Sequence, residues 1–270
     1  MTKNSASEMT FWGHVNVLRR VLFRVSAISI SFAVLLFMGM PWFFDRVILA
    51  PCHDNFVFYQ LLQQIGGLFH LTNDFFVQEF DIKLVNISLT SPFLIHISTS
   101  FWLALVLIMP YLLLEFWWFM RPALYPKEIK SVRFALFLSS ALFYLGVLIG
   151  YFMVFPLTLR FLATYTISND IPNQLSLDSY IDNFMTLILL MGLVFELPLF
   201  TWLLSFVGLV NAALLRKYRR HAIVVIFIIA AIITPTGDPF TLSVVALPLC
   251  LLYEFGILLI RKKHLQVDSE

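Results

Sequence analysis

The sequence predicts an all-α integral membrane protein with six transmembrane helices and both termini on the cytoplasmic side. Three observations carry this expectation. Of the 270 residues, 60% are hydrophobic and only 13% are charged, against about 25% charged in soluble domains. The apolar residues gather into long runs, and about 20 such residues cross the roughly 30 Å of hydrocarbon in a bilayer. All but three of the 18 Lys and Arg residues fall on one side of those runs, which assigns that side to the cytoplasm.

Each element follows from local composition. The spans lie near residues 21–44, 94–119, 132–155, 184–207, 222–233 and 240–260. Ahead of the first, Phe11, Val15, Leu18 and Leu22 share a helical face, with Arg19 and Arg20 at the span entrance. That pattern predicts an interfacial helix with membrane anchors. The first 20 residues lack an apolar core and a small-residue cleavage site, so the first span is expected to stay as an anchor. The longest loop, residues 45–93, falls outside. Within it Phe56, Tyr59, Leu61, Leu62, Ile65, Leu68 and Phe69 predict a short interfacial helix ending near Gly66-Gly67 or just beyond.

In the loop before the fourth span, Ser176 or Asp178 is placed to cap a helix. The fifth span has about a dozen residues, or ~18 Å, so thinned bilayer or neighbouring helices must compensate. The turn Thr234-Pro-Thr-Gly-Asp-Pro-Phe240 leads into the sixth span, with Asp238 set to cap it and Pro239 at its first position. Residues 1–270 thus form a single polytopic membrane domain. Cys52 and Cys250 are poorly placed for a disulfide, and no Cys/His spacing suits a metal. No cofactor is implied.

The basic residues cluster before the first span (Lys3, Arg19, Arg20, Arg24), after the second (Arg121, Lys127, Lys130, Arg133), after the fourth (Arg216, Lys217, Arg219, Arg220) and in the tail (Arg261, Lys262, Lys263). Arg46, Lys83 and Arg160 fall on the other side.

Three acids interrupt the apolar runs. Glu196 lies midway along the fourth span, in Gly192-Leu-Val-Phe-Glu-Leu-Pro198. An acid at the bilayer centre costs about 3 kcal/mol on insertion scales. Pro198 removes an amide donor and frees the Val194 carbonyl. Carboxyl and carbonyl together form a polar notch for water, a partner or a neighbouring helix. Glu254, in the sixth span, either snorkels towards Arg261 or Lys262 or has a functional role. Glu115, one turn before Phe119 in the second span, is expected to pair with a basic loop residue.

The connector Phe119-Met-Arg-Pro-Ala-Leu-Tyr-Pro-Lys-Glu128 places one acid on this strongly basic face. Pro122 and Pro126 stiffen it. Glu128 either pairs with Arg121, Lys127 or Lys130, or receives a cation from elsewhere.

These residues resemble the TatC family of the twin-arginine protein translocase. So do Ser91-Pro-Phe93, Phe143-Tyr-Leu-Gly146, Tyr151-Phe-Met-Val-Phe-Pro156, Phe195-Glu-Leu-Pro198, Thr234-Pro235 with Asp238, and Leu247-Pro-Leu-Cys-Leu-Leu-Tyr-Glu254. The resemblance covers nearly the whole chain in order. It implies a concave, glove-like bundle with short fifth and sixth helices in the cell inner membrane. It also implies a non-enzymatic translocase component that binds the paired-arginine signal peptides of folded proteins at its cytoplasmic face. Single-span TatA/TatB-type partners and the proton motive force would complete the machine. Self-association in a receptor complex and contact with membrane lipid are implied; binding of nucleic acid is not.

The family's signal site maps here to Phe119 and Glu128, with Arg19, Pro122, Leu124 and Tyr125 in the matching motifs. A carboxylate suits guanidinium because it accepts two parallel, charge-assisted hydrogen bonds. Glu196, Pro198 and Glu254 are the implied intramembrane functional residues. Thr234 and Asp238 mark the thin edge where partners would dock. The family's amino-terminal motif reads His-Leu-x-Glu-Leu-Arg, whereas this chain has His14-Val-Asn-Val-Leu-Arg19. Val17 replaces the acid, so Glu128 is expected to carry more of the recognition.

The rival reading is a secondary transporter or ion channel, with Glu196, Glu254 and Glu115 as a proton or cation relay. The acids are spread over three spans without a matched set in two halves, which counts against it. An enzyme fits less well, because the spans show no His–Asp, Ser–His or metal cluster.

Overall fold

The protein is described by a computed structural model covering residues 11–68, 81–120, 129–166, 168, 173–206, 210–234 and 237–267. Among these residues all regular structure is helical, apart from one isolated backbone bridge between Val85 and Ser176. Five helical stretches are long and apolar enough to cross a membrane. The all-α membrane class predicted from composition is the class observed.

Helix α1 (Phe11–Phe43) is one run of 33 residues. The separate interfacial helix expected ahead of the first span is instead the opening of α1. No proline occurs before Pro41, so nothing interrupts the hydrogen-bond ladder at the span entrance. The helix ends in a wide, π-type turn (Phe44–Ile48), closed by the Leu49 N–H on Phe44 O at 2.9 Å. The interfacial helix expected in the first long loop is present as α2 (Val57–Leu68). Helix α3 (Ser91–Met120) then returns along α1, its principal neighbour.

Helix α4 (Ile129–Ile149) continues through a second wide turn (Gly150–Val154) into α5 (Phe155–Thr164). That turn leaves Pro156 at the start of α5, where a missing N–H costs little. Helix α6 (Leu177–Val194) uses Ser176, one of its two candidate caps, whose hydroxyl accepts the Ser179 N–H at 3.3 Å. After a break, α7 (Leu197–Phe206) follows. Asn211 caps the short α8 (Ala212–Lys217). Helix α9 (Arg219–Ile233) has 15 residues, a length of about 22 Å. Gly237 takes a φ of 59°, a left-handed value open to glycine. Asp238 then caps α10 (Pro239–Val267) by accepting the Thr241 N–H at 2.8 Å, as the sequence predicts.

Several of the largest fully buried side chains, among them Arg160, Tyr59, Tyr180 and Ile48, lie at the far end of the bundle, which holds residues 44–56, 81–90, 165–166 and 173–177. Phe155 meets Tyr180 and Phe184 edge to face. The buried hydroxyls find backbone acceptors: Tyr180 donates to Ile48 O at 2.5 Å and Tyr59 to Pro51 O at 2.9 Å. Arg160 is buried with its guanidinium 5.5 Å from the Tyr59 ring centroid. Residues of the first long loop are pinned here. Ile82 N–H reaches Cys52 O at 3.0 Å, Val85 N–H reaches Leu175 O at 2.9 Å, and Leu177 N–H reaches Val85 O at 3.0 Å. Cys52 and Cys250 are both free thiols. The opposite, near end holds the start of α1, the end of α3 and residues 212–220.

Candidate functional site

The break between α6 and α7 aims Glu196 sideways. Its N–H turns back to Leu193 O at 3.1 Å, and Phe200 N–H resumes the ladder on Glu196 O at 3.0 Å. Pro198 follows with no N–H to give, and is buried. The carboxyl then faces α4, where Ser139 Oγ donates to Oε2 at 2.5 Å. The other oxygen, Oε1, is buried and accepts no hydrogen bond from the described residues. The polar notch predicted at Glu196 is therefore half filled by a neighbouring helix.

Glycine makes this approach close. A Cβ on Gly146 of α4 would stand 2.7 Å from the Met191 carbonyl oxygen and from the Phe195 ring. One on Gly192 of α6 would stand 2.8 Å from the Phe143 ring. The two helices touch through backbone, and that brings Ser139 within reach of Glu196.

Glu254 pairs across a different seam. Its Oε2 accepts from Arg219 Nη2 at 2.6 Å, with both side chains 49% exposed. This described partner opens α9, whereas the sequence points to the tail; the side chains of Arg261 and Lys262 lie outside the described residues. The Tyr253 hydroxyl donates to Leu215 O at 2.8 Å and ties the same helix ends together.

Glu115 is only 1% exposed. The Tyr111 hydroxyl donates to its Oε1 at 2.5 Å, and Arg24 Nη2 lies 3.1 Å from Oε2. A basic loop residue was the expected partner; the structure supplies one from α1. The reason is packing, since α1 runs along α3 and Arg24 projects across that seam.

The remaining predicted residues divide in two. Thr234 is buried, and its hydroxyl donates to Ala230 O at 2.9 Å within its own helix. Asp238 serves as the α10 cap. Arg19 is exposed on α1. Phe119 lies in the last turn of α3, its side chain outside the described set. Pro122, Leu124, Tyr125 and Glu128 lie outside the described residues. Glu115, Glu196 and Glu254 have separate partners in separate helix pairs, and no described hydrogen bond links them. That arrangement does not favour a relay. No cluster of metal-ligating side chains occurs among the described residues.

Sequence reasoning missed the partners Ser139, Arg24, Tyr111 and Arg219. The serine pair Ser139-Ser140 inside an apolar run was the available signal for the first. Arg24 and Arg219 registered only as topology determinants.

Comparison with known proteins adds independent findings. A family model described as Sec-independent protein translocase protein (TatC) matches residues 13–248. A relative of that description from Blattabacterium sp. subsp. Periplaneta americana (strain BPLAN) is 35% identical over 256 residues, spanning 94% of this chain and 96% of the relative. One from Helicobacter pylori (strain J99) is 37% identical over 196 residues, spanning 72% and 78%. In three dimensions the chain is similar to the crystal structure of a twin-arginine translocase receptor, TatC. The TM-score is 0.69 at 30% identity, covering 92% of this chain and 98% of that one.

Proposed function

The chain belongs to the TatC family of Sec-independent protein translocase proteins, and on that premise we propose that it is the signal-receiving subunit of a twin-arginine translocase. In this reading the near end is cytoplasmic and the protein spans the cell inner membrane six times, near residues 21–44, 94–119, 132–155, 184–207, 222–233 and 240–260. The paired-arginine signal of a folded precursor docks on the connector after α3. Glu128 takes a guanidinium there, while Phe119, Pro122, Leu124 and Tyr125 shape the site and Arg19 borders it from α1. Glu196, Pro198 and Glu254 act within the membrane. Thr234 and Asp238 fix the α9–α10 turn against which single-span TatA/TatB-type partners dock. Receptor subunits self-associate, and the proton motive force drives export.

One observation carries this reading. The last turns of α3 and the first turns of α1 meet at one end, joined by Arg24 and Glu115 at 3.1 Å. Residues 14–19 of α1 and the connector that follows α3 are the stretches that match the family's two signal-site motifs. Glu128→Gln tests it, by crosslinking a paired-arginine signal peptide to the full chain in membrane vesicles. Losing a charge-assisted hydrogen bond worth about 1.5–3 kcal/mol is expected to cut binding at least tenfold. Undiminished crosslinking would overturn the assignment.

A further inference from the structure

Arg24 of α1 and Glu115 of α3 face each other across one seam at the near end. Val17 and Arg24 lie seven apart on α1, which is two turns on one face. Glu115 and Phe119 lie four apart on α3, which is one turn on one face. The less exposed residues of this part of α1, Val17, Val21, Val25 and Ile28, recur every three or four positions and mark its packed stripe. Arg24 crosses from the edge of that stripe to Glu115.

The Glu115 carboxylate is a built acceptor. It is 1% exposed, and Tyr111 occupies one oxygen. The other oxygen has Arg24 Nη2 at 3.1 Å, yet no N–H is aimed along that line, so it is a buried acceptor without a hydrogen bond. Arg24 itself is 52% exposed along its side chain. A half-solvated guanidinium thus caps a fully buried carboxylate.

We infer that Glu115 is a second carboxylate site for the paired-arginine signal, occupied at rest by Arg24 as a resident guanidinium, and that it takes the place of the acid absent at Val17. The inference rests on the signal-receptor reading above. An incoming arginine displaces Arg24, whose half-exposed side chain swings towards solvent. The buried carboxylate keeps a counter-charge throughout, which avoids the penalty of an uncompensated buried ion. The site favours arginine over lysine, because a guanidinium is more weakly hydrated than an ammonium and enters a buried site at lower cost. Position supports the same assignment: Phe119 follows Glu115 by four residues, one turn further along α3. A peptide held at the end of α3 therefore presents its second arginine to Glu115.

The experiment measures affinity of a paired-arginine signal peptide for the full chain in membrane vesicles, with the melting temperature of each variant in detergent as the control for folding. Glu115→Gln keeps an acceptor for Tyr111 but loses the charge, and is expected to weaken binding about fivefold or more. Arg24→Gln removes the resident competitor and is expected to tighten binding by about the same factor. Val17→Glu in the Glu115→Gln background is expected to restore binding. A merely structural ion pair predicts the opposite sign for Arg24→Gln. If that variant melts early, Arg24→Lys is read instead, and a smaller gain is expected. Unchanged or weaker binding by folded Arg24 variants, or wild-type binding by Glu115→Gln, would overturn the inference. If Glu128→Gln also binds like the wild type, the signal-receptor reading itself fails. If Glu128→Gln weakens binding while the seam variants leave it unmoved, the resident guanidinium alone is refuted.

Discussion

Glu115 and Glu196 are both acids held between helices, and the two seams treat them differently. In the α1/α3 seam the partners are a guanidinium and a phenol. Where α4 meets the α6–α7 break, the described partner is a single serine hydroxyl. A seam that supplies a cation is open to exchange with another cation. A seam that supplies a hydroxyl suits a carboxyl with no counter-charge, and it leaves one oxygen for a neutral donor such as water or a partner side chain. Glu254 makes a third case: its pair with Arg219 is half exposed, so water competes with both ends.

The largest way to break this comparison is to force the Glu196 seam apart. Gly146→Val places a side chain against the Met191 carbonyl oxygen, where a Cβ would stand at only 2.7 Å. Backbone yields less readily than a side-chain tip, so a loss of about 3 kcal/mol is expected in thermal unfolding in detergent. A melting temperature like the wild type's would show that the close approach does not set the site.

A smaller change sharpens the comparison. Ser139→Ala removes the described donor to Glu196 Oε2, and the expected cost is about 1–3 kcal/mol for an acceptor left unfilled. Ser139→Thr, which keeps the hydroxyl, should recover much of it. Equal stability of the alanine variant would mean that water already serves this oxygen.

Arg219→Gln should matter least. With both partners 49% exposed, the pair is worth about 0–1 kcal/mol. Chemical denaturation at low and high salt checks this, and the difference should shrink as salt rises. A clearly larger loss would group Glu254 with the buried acids.

Much of the architecture was legible in the sequence because it is decided locally. Apolar runs, Ser176 and Asp238 as caps, and Pro239 as a helix start each act within a few residues of themselves. The partners of the acids were not legible, because they depend on which helix lies alongside. Arg24 stands far from Glu115 in the chain and meets it only through the α1/α3 packing. The same holds for Ser139 with Glu196. The continuity of α1 was missed for the converse reason: an amphipathic stretch and an apolar stretch read as two elements, yet no residue between them breaks a helix. The connector that carries Glu128 lies outside the described residues, so its part as a cation acceptor stands as the proposal made above.

The bridge at Val85 also has a consequence for how the molecule is built. Its two hydrogen bonds join the loop after α1 to residues 175 and 177, at the entrance to α6. A chain made from its amino terminus exposes Val85 long before that entrance exists. Until α6 arrives on the same side, the Val85 amide and carbonyl must stay with water. The bridge is therefore a late clasp in biogenesis, fastening only after two helical hairpins have been delivered across the bilayer.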